Sequence, residues 1–270
     1  MSARATAIIP ARLGSTRFAR KALADATGKA LVVHVCERAA AAASVGRVVV
    51  ACDADEIASV VRAAGFEAVL TSPEHENGTS RLAEAAELLK LRPGHFVVNI
   101  QGDEPEIEPE TVDAAVLALR AKIVIDTSAS RPEDTGSRFQ WVGTVASPFG
   151  PDEDPSDPNI VKAVTSLLRP DTGVGAALLF SRSLVPHQRD GGIGVRSLKH
   201  VGIYAYRVAS LRLYMGLDPT PLERTEKLEQ LRWLEHGYVI GVAVRNVAHH
   251  GIDTPEQYAA FVERWRASHP

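Results

Sequence analysis

Four cations, Arg12, Arg17, Arg20 and Lys21, fall within ten residues, interleaved with Gly14, Ser15 and Thr16. Small residues let backbone N–H groups approach a ligand, and arginine forks beside exposed amides suit phosphate oxygens. The guest such a loop would take is a polyphosphate. The same residues read equally well as a solvated basic turn. Neither the Gly-x-x-x-x-Gly-Lys-Ser/Thr run nor the Gly-x-Gly-x-x-Gly run of better-known phosphate loops is present here. Two carboxylates stand as candidate counterparts: Asp103 in Gln101-Gly102-Asp103-Glu104-Pro105 and Asp253 in Gly251-Ile252-Asp253-Thr254-Pro255. Hard oxygen ligands, few of them and with water completing the octahedron, are what Mg²⁺ bridging nucleotide phosphates needs. By spacing alone Asp253 reads first as an ordinary helix N-cap, and Asp103 as readily as a turn residue as a ligand. The adjacent His249 and His250 would point opposite ways on an extended segment, which favours surface or core roles over a metal pair.

These residues must be positioned by the elements around them. Ala5 to Ile9 is a short apolar run, a buried strand that Pro10 should stop where a parallel sheet delivers the chain to its active edge. Leu31 to Ala43 has helical spacing, Arg47 to Ala51 is a second strand, Asp55 to Ala64 a helix and Phe66 to Leu70 a third strand. A helix from Arg81 to Leu91 should be capped by Thr79 or Ser80, and Phe96 to Ile100 is a fourth strand before a helix from Pro109 to Ala121. Strands separated by helices in this rhythm predict an α/β fold with a doubly wound, mostly parallel sheet.

The rhythm then breaks. Residues 126–140 are polar, and Pro148 to Pro158 is rich in Pro and Asp, on either side of a short strand from Trp141 to Ala146. Further strands are expected at Val161 to Leu167, Ala176 to Phe180, Val201 to Tyr206 and Val239 to Val244. A polar loop runs from Ser181 to Gly194. Helices are expected at Val208 to Met215, at Thr225 to His236 with Gly237 as its stop, and after Thr254-Pro255-Glu256.

At 270 residues and 45% hydrophobic, the chain can bury a sizeable core, either as one large α/β domain or as one domain with a lobe inserted. A net charge of -3 gives no global attraction to nucleic acid or to an anionic membrane, so any anion site must be local. The apolar runs are too short for membrane insertion, and Cys36 and Cys52 read as reduced core thiols, which together point to a cytoplasmic protein.

Taken together the motifs resemble the 3-deoxy-manno-octulosonate (Kdo) cytidylyltransferases. Ile8-Ile9-Pro10-Ala11-Arg12 with Ser15-Thr16-Arg17 and Lys21, Gly78-Thr79-Ser80-Arg81, Asn99-Ile100-Gln101-Gly102-Asp103-Glu104-Pro105, Phe180-Ser181-Arg182, His200-Val201-Gly202-Ile203-Tyr204, Leu228-Glu229-Gln230-Leu231-Arg232 and Gly251-Ile252-Asp253-Thr254-Pro255 occur in the family's order, from about residue 5 to about 262. The resemblance implies a nucleotide-diphospho-sugar transferase-like, Rossmann-like fold: one domain over residues 1–270, with a smaller sugar-binding and dimerisation lobe at roughly 141–220. It implies that Pro10, Ala11, Arg12, Ser15, Arg17, Lys21, Arg81 and Gln101 hold CTP, that Asp103 and Asp253 hold Mg²⁺, and that Arg12, Lys21 and the two aspartates form the catalytic centre. Gln101, Arg182, Arg189, His200, Tyr204, Glu229 and Gln230 would surround the sugar acid. A homodimer and a role in lipopolysaccharide biosynthesis follow from the same likeness.

The chain departs from the family at Phe18-Ala19-Arg20-Lys21-Ala22-Leu23, where Leu-Pro-Gly-Lys-Pro-Leu is usual, and at His187-Gln188, which stand where an aromatic is common. These changes leave the sugar open between Kdo and its 8-amino-8-deoxy relative. The reaction implied is attack of the sugar's anomeric 2-hydroxyl on the α-phosphorus of CTP with loss of pyrophosphate. No side chain announces itself as general base, and that role is given to the metal-bound alkoxide in preference to a histidine. Rival readings are a sialic acid cytidylyltransferase or a sugar-nucleotide pyrophosphorylase on the same fold, or a non-catalytic nucleotide sensor.

Overall fold

The computed structural model describes residues 4–14, 17–75, 77–121, 141–166, 168–189, 197–248 and 251–269. Ser15, His249, His250 and the polar run 126–140 therefore lie outside the described residues. The chain divides into two compact units: Met1–Asp113 with Arg207–Met215 and Ala248–Pro270, and Ala114–Tyr206 with Gly216–Val247.

In the first unit, near-continuous apolar runs make β1 (Ala5–Ala11), β2 (Val45–Cys52), β3 (Glu67–Leu70) and β4 (Phe96–Asn99). They are paired in parallel in the order β3-β2-β1-β4. Helices α1 (Leu31–Ala41), α2 (Asp55–Ala63), α3 (Gly78–Leu88) and α5 (Val208–Met215) and the C-terminal α8 (Pro255–Ser268) belong to the same unit. β1, β4 and most of β2 are buried and read as apolar stretches, which is why the sequence located them, while β3 leaves Glu67 and Leu70 exposed.

Two expectations fail here. Pro10 does not stop β1, since it pairs in register with Ala51. Pairing of β1 with β4 ends at Ile8↔Asn99, so the chain beyond Ile8 has no neighbour on that side among the described pairings and tolerates a residue without an N–H. Helix α3 begins at Gly78, earlier than expected, because the Asn77 side chain accepts the Ser80 N–H at 2.9 Å and takes the capping role expected of Thr79 or Ser80.

The second unit holds β5 (Val142–Pro148), β6 (Lys162–Thr165), β7 (Val174–Ser181), β8 (Leu198–Arg207) and β9 (Ile240–Val244). Strand β5 runs parallel to β9 and antiparallel to β8, while β7 pairs antiparallel with β9 and β6. Helix α4 (Pro109–Arg120) lies so close to β5 that a Cβ on Gly143 would stand 2.4 Å from the Ala115 carbonyl oxygen.

The single helix expected over Thr225 to His236 is two, α6 (Pro221–Glu226) and α7 (Gln230–Glu235). Pro221 in the first turn and Glu223, whose carboxylate accepts the Thr220 N–H at 3.3 Å, start α6 early, and Lys227 ends it in a left-handed conformation with φ 54°.

Candidate active site

The C-terminal end of β1 feeds the basic loop, which closes on a single 3-10 turn at Lys21–Leu23. Apolar packing fixes that loop against the start of α8. Ile252, Tyr258, Phe261 and Val262 form a buried cluster with Leu31, and Phe18 packs on it, its ring 5.4 Å from that of Tyr258. The Tyr258 hydroxyl also accepts the Ala26 N–H at 2.8 Å. This brings Lys21 beside Asp253 across 232 residues of chain.

The Lys21 ammonium donates to Asp103 Oδ2 at 2.7 Å, to the Ile252 carbonyl at 2.7 Å and to Asp253 Oδ1 at 3.3 Å. Arg17 reaches the same Asp253 oxygen at 3.1 Å. Burial pushes the Asp103 carboxyl above the usual carboxylate range, and the Lys21 charge opposes that shift. Gly102 lets the Asp103 turn lie against β1, because a Cβ there would stand 2.8 Å from the Pro10 carbonyl oxygen.

Asp253 does not cap α8, as its spacing suggested. Thr254 does, accepting the Gln257 N–H at 3.3 Å, and the Asp253 carboxylate is left to meet Lys21 and Arg17. The two carboxylates converge on one cation position. Two carboxylates meeting at the Lys21 ammonium are hard oxygen donors of the kind that suits a divalent cation drawing its other ligands from phosphate and water.

Around this centre Pro10, Ala11, Arg12, Arg17, Lys21, Arg81, Gln101, Asp103 and Asp253 line one cavity of about 280 Å³. Of the residues assigned to nucleotide and metal, only Ser15 falls outside the description. Arg81, 4% exposed, donates to Thr71 Oγ1 at 2.6 Å and lies 3.9 Å from Asp53, which itself accepts the Leu13 N–H at 2.9 Å. Arg20 turns away to pair with Glu56 on α2.

The cavity also recruits His75, Asn77 and Gly78, which the sequence reading did not assign to a site. His75 is held by Ser80 Oγ at 3.0 Å through Nδ1 and by Glu84 Oε2 through Nε2. The only sequence signal for it was its place just ahead of the Asn77 cap.

The residues assigned to the sugar acid, apart from Gln101, belong to the second unit. His200 and Tyr204 lie together on β8, ring centroids 5.3 Å apart, and His200 Nε2 shares a 2.9 Å hydrogen bond with Thr144 Oγ1. Burial pushes the His200 imidazole down to about 3, so it is neutral across the physiological range. Arg182 ends β7 with Nε on the Glu226 carbonyl at 2.8 Å and a terminal nitrogen on the Pro158 carbonyl at 3.0 Å. Glu229 is the N-cap residue of α7, followed by the buried Gln230, and α7 packs on β7. Arg189 is exposed.

Cys36 and Cys52 are free and buried, and burial pushes the Cys36 thiol up to about 12. No helix among the described residues is long and apolar enough to cross a membrane.

A profile of the cytidylyltransferase family matches residues 6–242. The 3-deoxy-manno-octulosonate cytidylyltransferase of Syntrophobacter fumaroxidans is 44% identical over 96% of both chains. That of Anaeromyxobacter sp. strain K is 45% identical over 96% of this chain and 95% of its own. A solved structure of CMP:2-keto-3-deoxy-manno-octonic acid synthetase complexed with CTP superimposes with a TM-score of 0.83 at 34% identity, covering 98% of this chain and 99% of that one. The cations and carboxylates that the fold gathers at the edge of β1 thus sit in a chain that belongs to the 3-deoxy-manno-octulosonate cytidylyltransferase family.

Proposed function

We propose that the chain activates Kdo with CTP, giving CMP-Kdo and pyrophosphate. The observation that carries this reading is the meeting of Lys21 with both Asp103 and Asp253 in a cavity lined by Arg12, Arg17, Arg81 and Gln101. The triphosphate would be gathered by Arg12, Arg17 and Lys21, whose charges offset what builds on the departing pyrophosphate. Arg81 and Gln101 would face the nucleotide. Asp103 and Asp253 would hold Mg²⁺, which when bound neutralises phosphate charge and lowers the pKa of the attacking hydroxyl.

In the second unit Arg182 and Arg189 suit the sugar's carboxylate, and Tyr204, Glu229 and Gln230 its hydroxyls. His200 is neutral and already engaged with Thr144, so it serves as a fixed polar wall in preference to a base. The anomeric 2-hydroxyl then attacks the α-phosphorus, its proton is lost, and the bond to pyrophosphate breaks. The same reading makes the protein a cytoplasmic homodimer whose product feeds lipopolysaccharide assembly, supported by family membership.

Pyrophosphate release is the test, with CTP, Mg²⁺ and a panel of Kdo, 8-amino-8-deoxy-Kdo and sialic acid, and UTP as control. Turnover with CTP and Kdo is expected, with a loss of more than about a hundredfold in Asp103→Ala. Preference for the amino sugar would keep the mechanism and move the substrate, and silence with every sugar acid would return the fold to a nucleotide sensor.

A further inference from the structure

Lys162, on β6, is the one lysine among the described residues with no solvent exposure at all, at 0%. It faces no carboxylate at hydrogen-bond distance. Its ammonium instead donates to three main-chain carbonyls, those of Asp157 at 2.9 Å, Ile160 at 2.7 Å and Arg182. An ammonium has three N–H donors, so the set is complete, and the loop just before β6 is tied to the backbone that follows β7.

Glu226, at the end of α6, ties the same place from the other side. Its carboxylate accepts the Ser181 hydroxyl at 2.7 Å and the Arg182 N–H at 2.9 Å, while its carbonyl accepts Arg182 Nε at 2.8 Å. The Arg182 backbone is thus fixed at both N–H and C=O, and its guanidinium at two of five donors. Its remaining N–H groups stay available on a partly exposed side chain.

A buried charge is costly to hold, and here the cost is offset by the three carbonyls it satisfies and by the nearby Asp157 and Glu226 charges. What the lysine supplies is geometry. We propose that Lys162 is a positioning residue for sugar-acid recognition. With Glu226 it fixes the end of β7 so that the free face of the Arg182 guanidinium is presented to the sugar's carboxylate. This rests on the assignment of Arg182 to the sugar acid made above.

The test is steady-state kinetics of Lys162→Met, Glu226→Gln and Arg182→Ala, each with its Tm. KM does not depend on the fraction of active enzyme, so a merely structural lesion lowers Tm and kcat and leaves both KM values in place. The expected result for Lys162→Met is a Kdo KM raised about tenfold with the CTP KM within about twofold of the parent. Glu226→Gln, which keeps shape and removes charge, is expected to shift the Kdo KM in the same direction by less, and it decides the matter if Lys162→Met does not fold. A raised Kdo KM in Arg182→Ala with unchanged values in the other two overturns the positioning role alone. An unchanged Kdo KM in Arg182→Ala overturns the assignment of Arg182 and the inference built on it.

Discussion

Arg20 holds a left-handed backbone, φ 57°, at the position where the family usually has glycine. A side chain there costs roughly 1 kcal/mol that glycine does not, while the exposed pair with Glu56 returns only a fraction of that. Arg20→Gly is therefore expected to raise stability by up to about 1 kcal/mol, read by urea unfolding, since Arg20 faces α2 and not the cavity. A fall in stability would mean that the Glu56 pair or chain entropy outweighs the strain. This detail was half legible in the sequence. The missing glycine was visible, but that its replacement would turn from the phosphates toward α2 depended on where α2 lies. Asp253 gives the opposite lesson. Spacing made it a cap, and only the fold, by letting Thr254 cap instead, showed the carboxylate free to meet Lys21.

That division between neighbours gives a second expectation, for the element they open. Thr254→Ala removes the acceptor at the start of α8 and is expected to cost about 1 kcal/mol of stability with a modest change in turnover. Asp253→Asn leaves the cap in place and is expected to move Tm little while lowering turnover more than about tenfold. Calorimetry and pyrophosphate release on the two variants would show equal losses in both readouts if the roles were not separate. Most elements were legible because their periods were clean, as in the buried strands β1 and β2. The break between α6 and α7 was not. The connection Lys227-Leu228-Glu229 holds no Gly or Pro, and Lys227 takes a left-handed turn that its residue type does not announce. His75 was hidden for a like reason, since its partner Glu84 is nine residues on, around the start of α3.

For the molecule as a whole, three buried or partly buried histidines contribute to the loss of stability in acid. Burial pushes His34 down to about 4 and His200 to about 3, and it lowers His95 as well. His34 and His200 stay neutral in the folded chain until the pH nears those values, and His95 takes up a proton less readily than a free imidazole, whereas the unfolded chain takes up all three protons once the pH falls below about 6.5. Their contribution is thus intact above pH 6.5 and is lost progressively toward the folded values, with a slope of at most about 1.4 kcal/mol per pH unit for each. Urea midpoints between pH 7 and 5, above most carboxylate titration, are expected to fall. His34→Gln, which keeps a polar partner for Thr27, is expected to flatten that fall; an unchanged slope would remove His34 from the account.

The first unit is not continuous in the chain. Its sheet and basic loop come from residues up to Asp113, but the segment carrying Asp253 and α8 follows the whole of the second unit. During synthesis the N-terminal portion emerges first and begins to fold while Lys21 and Asp103 still lack their third partner. The cluster of Lys21, Asp103 and Asp253 is therefore completed only after the residues of the second unit have been translated, which makes it among the last parts of the protein to come into being.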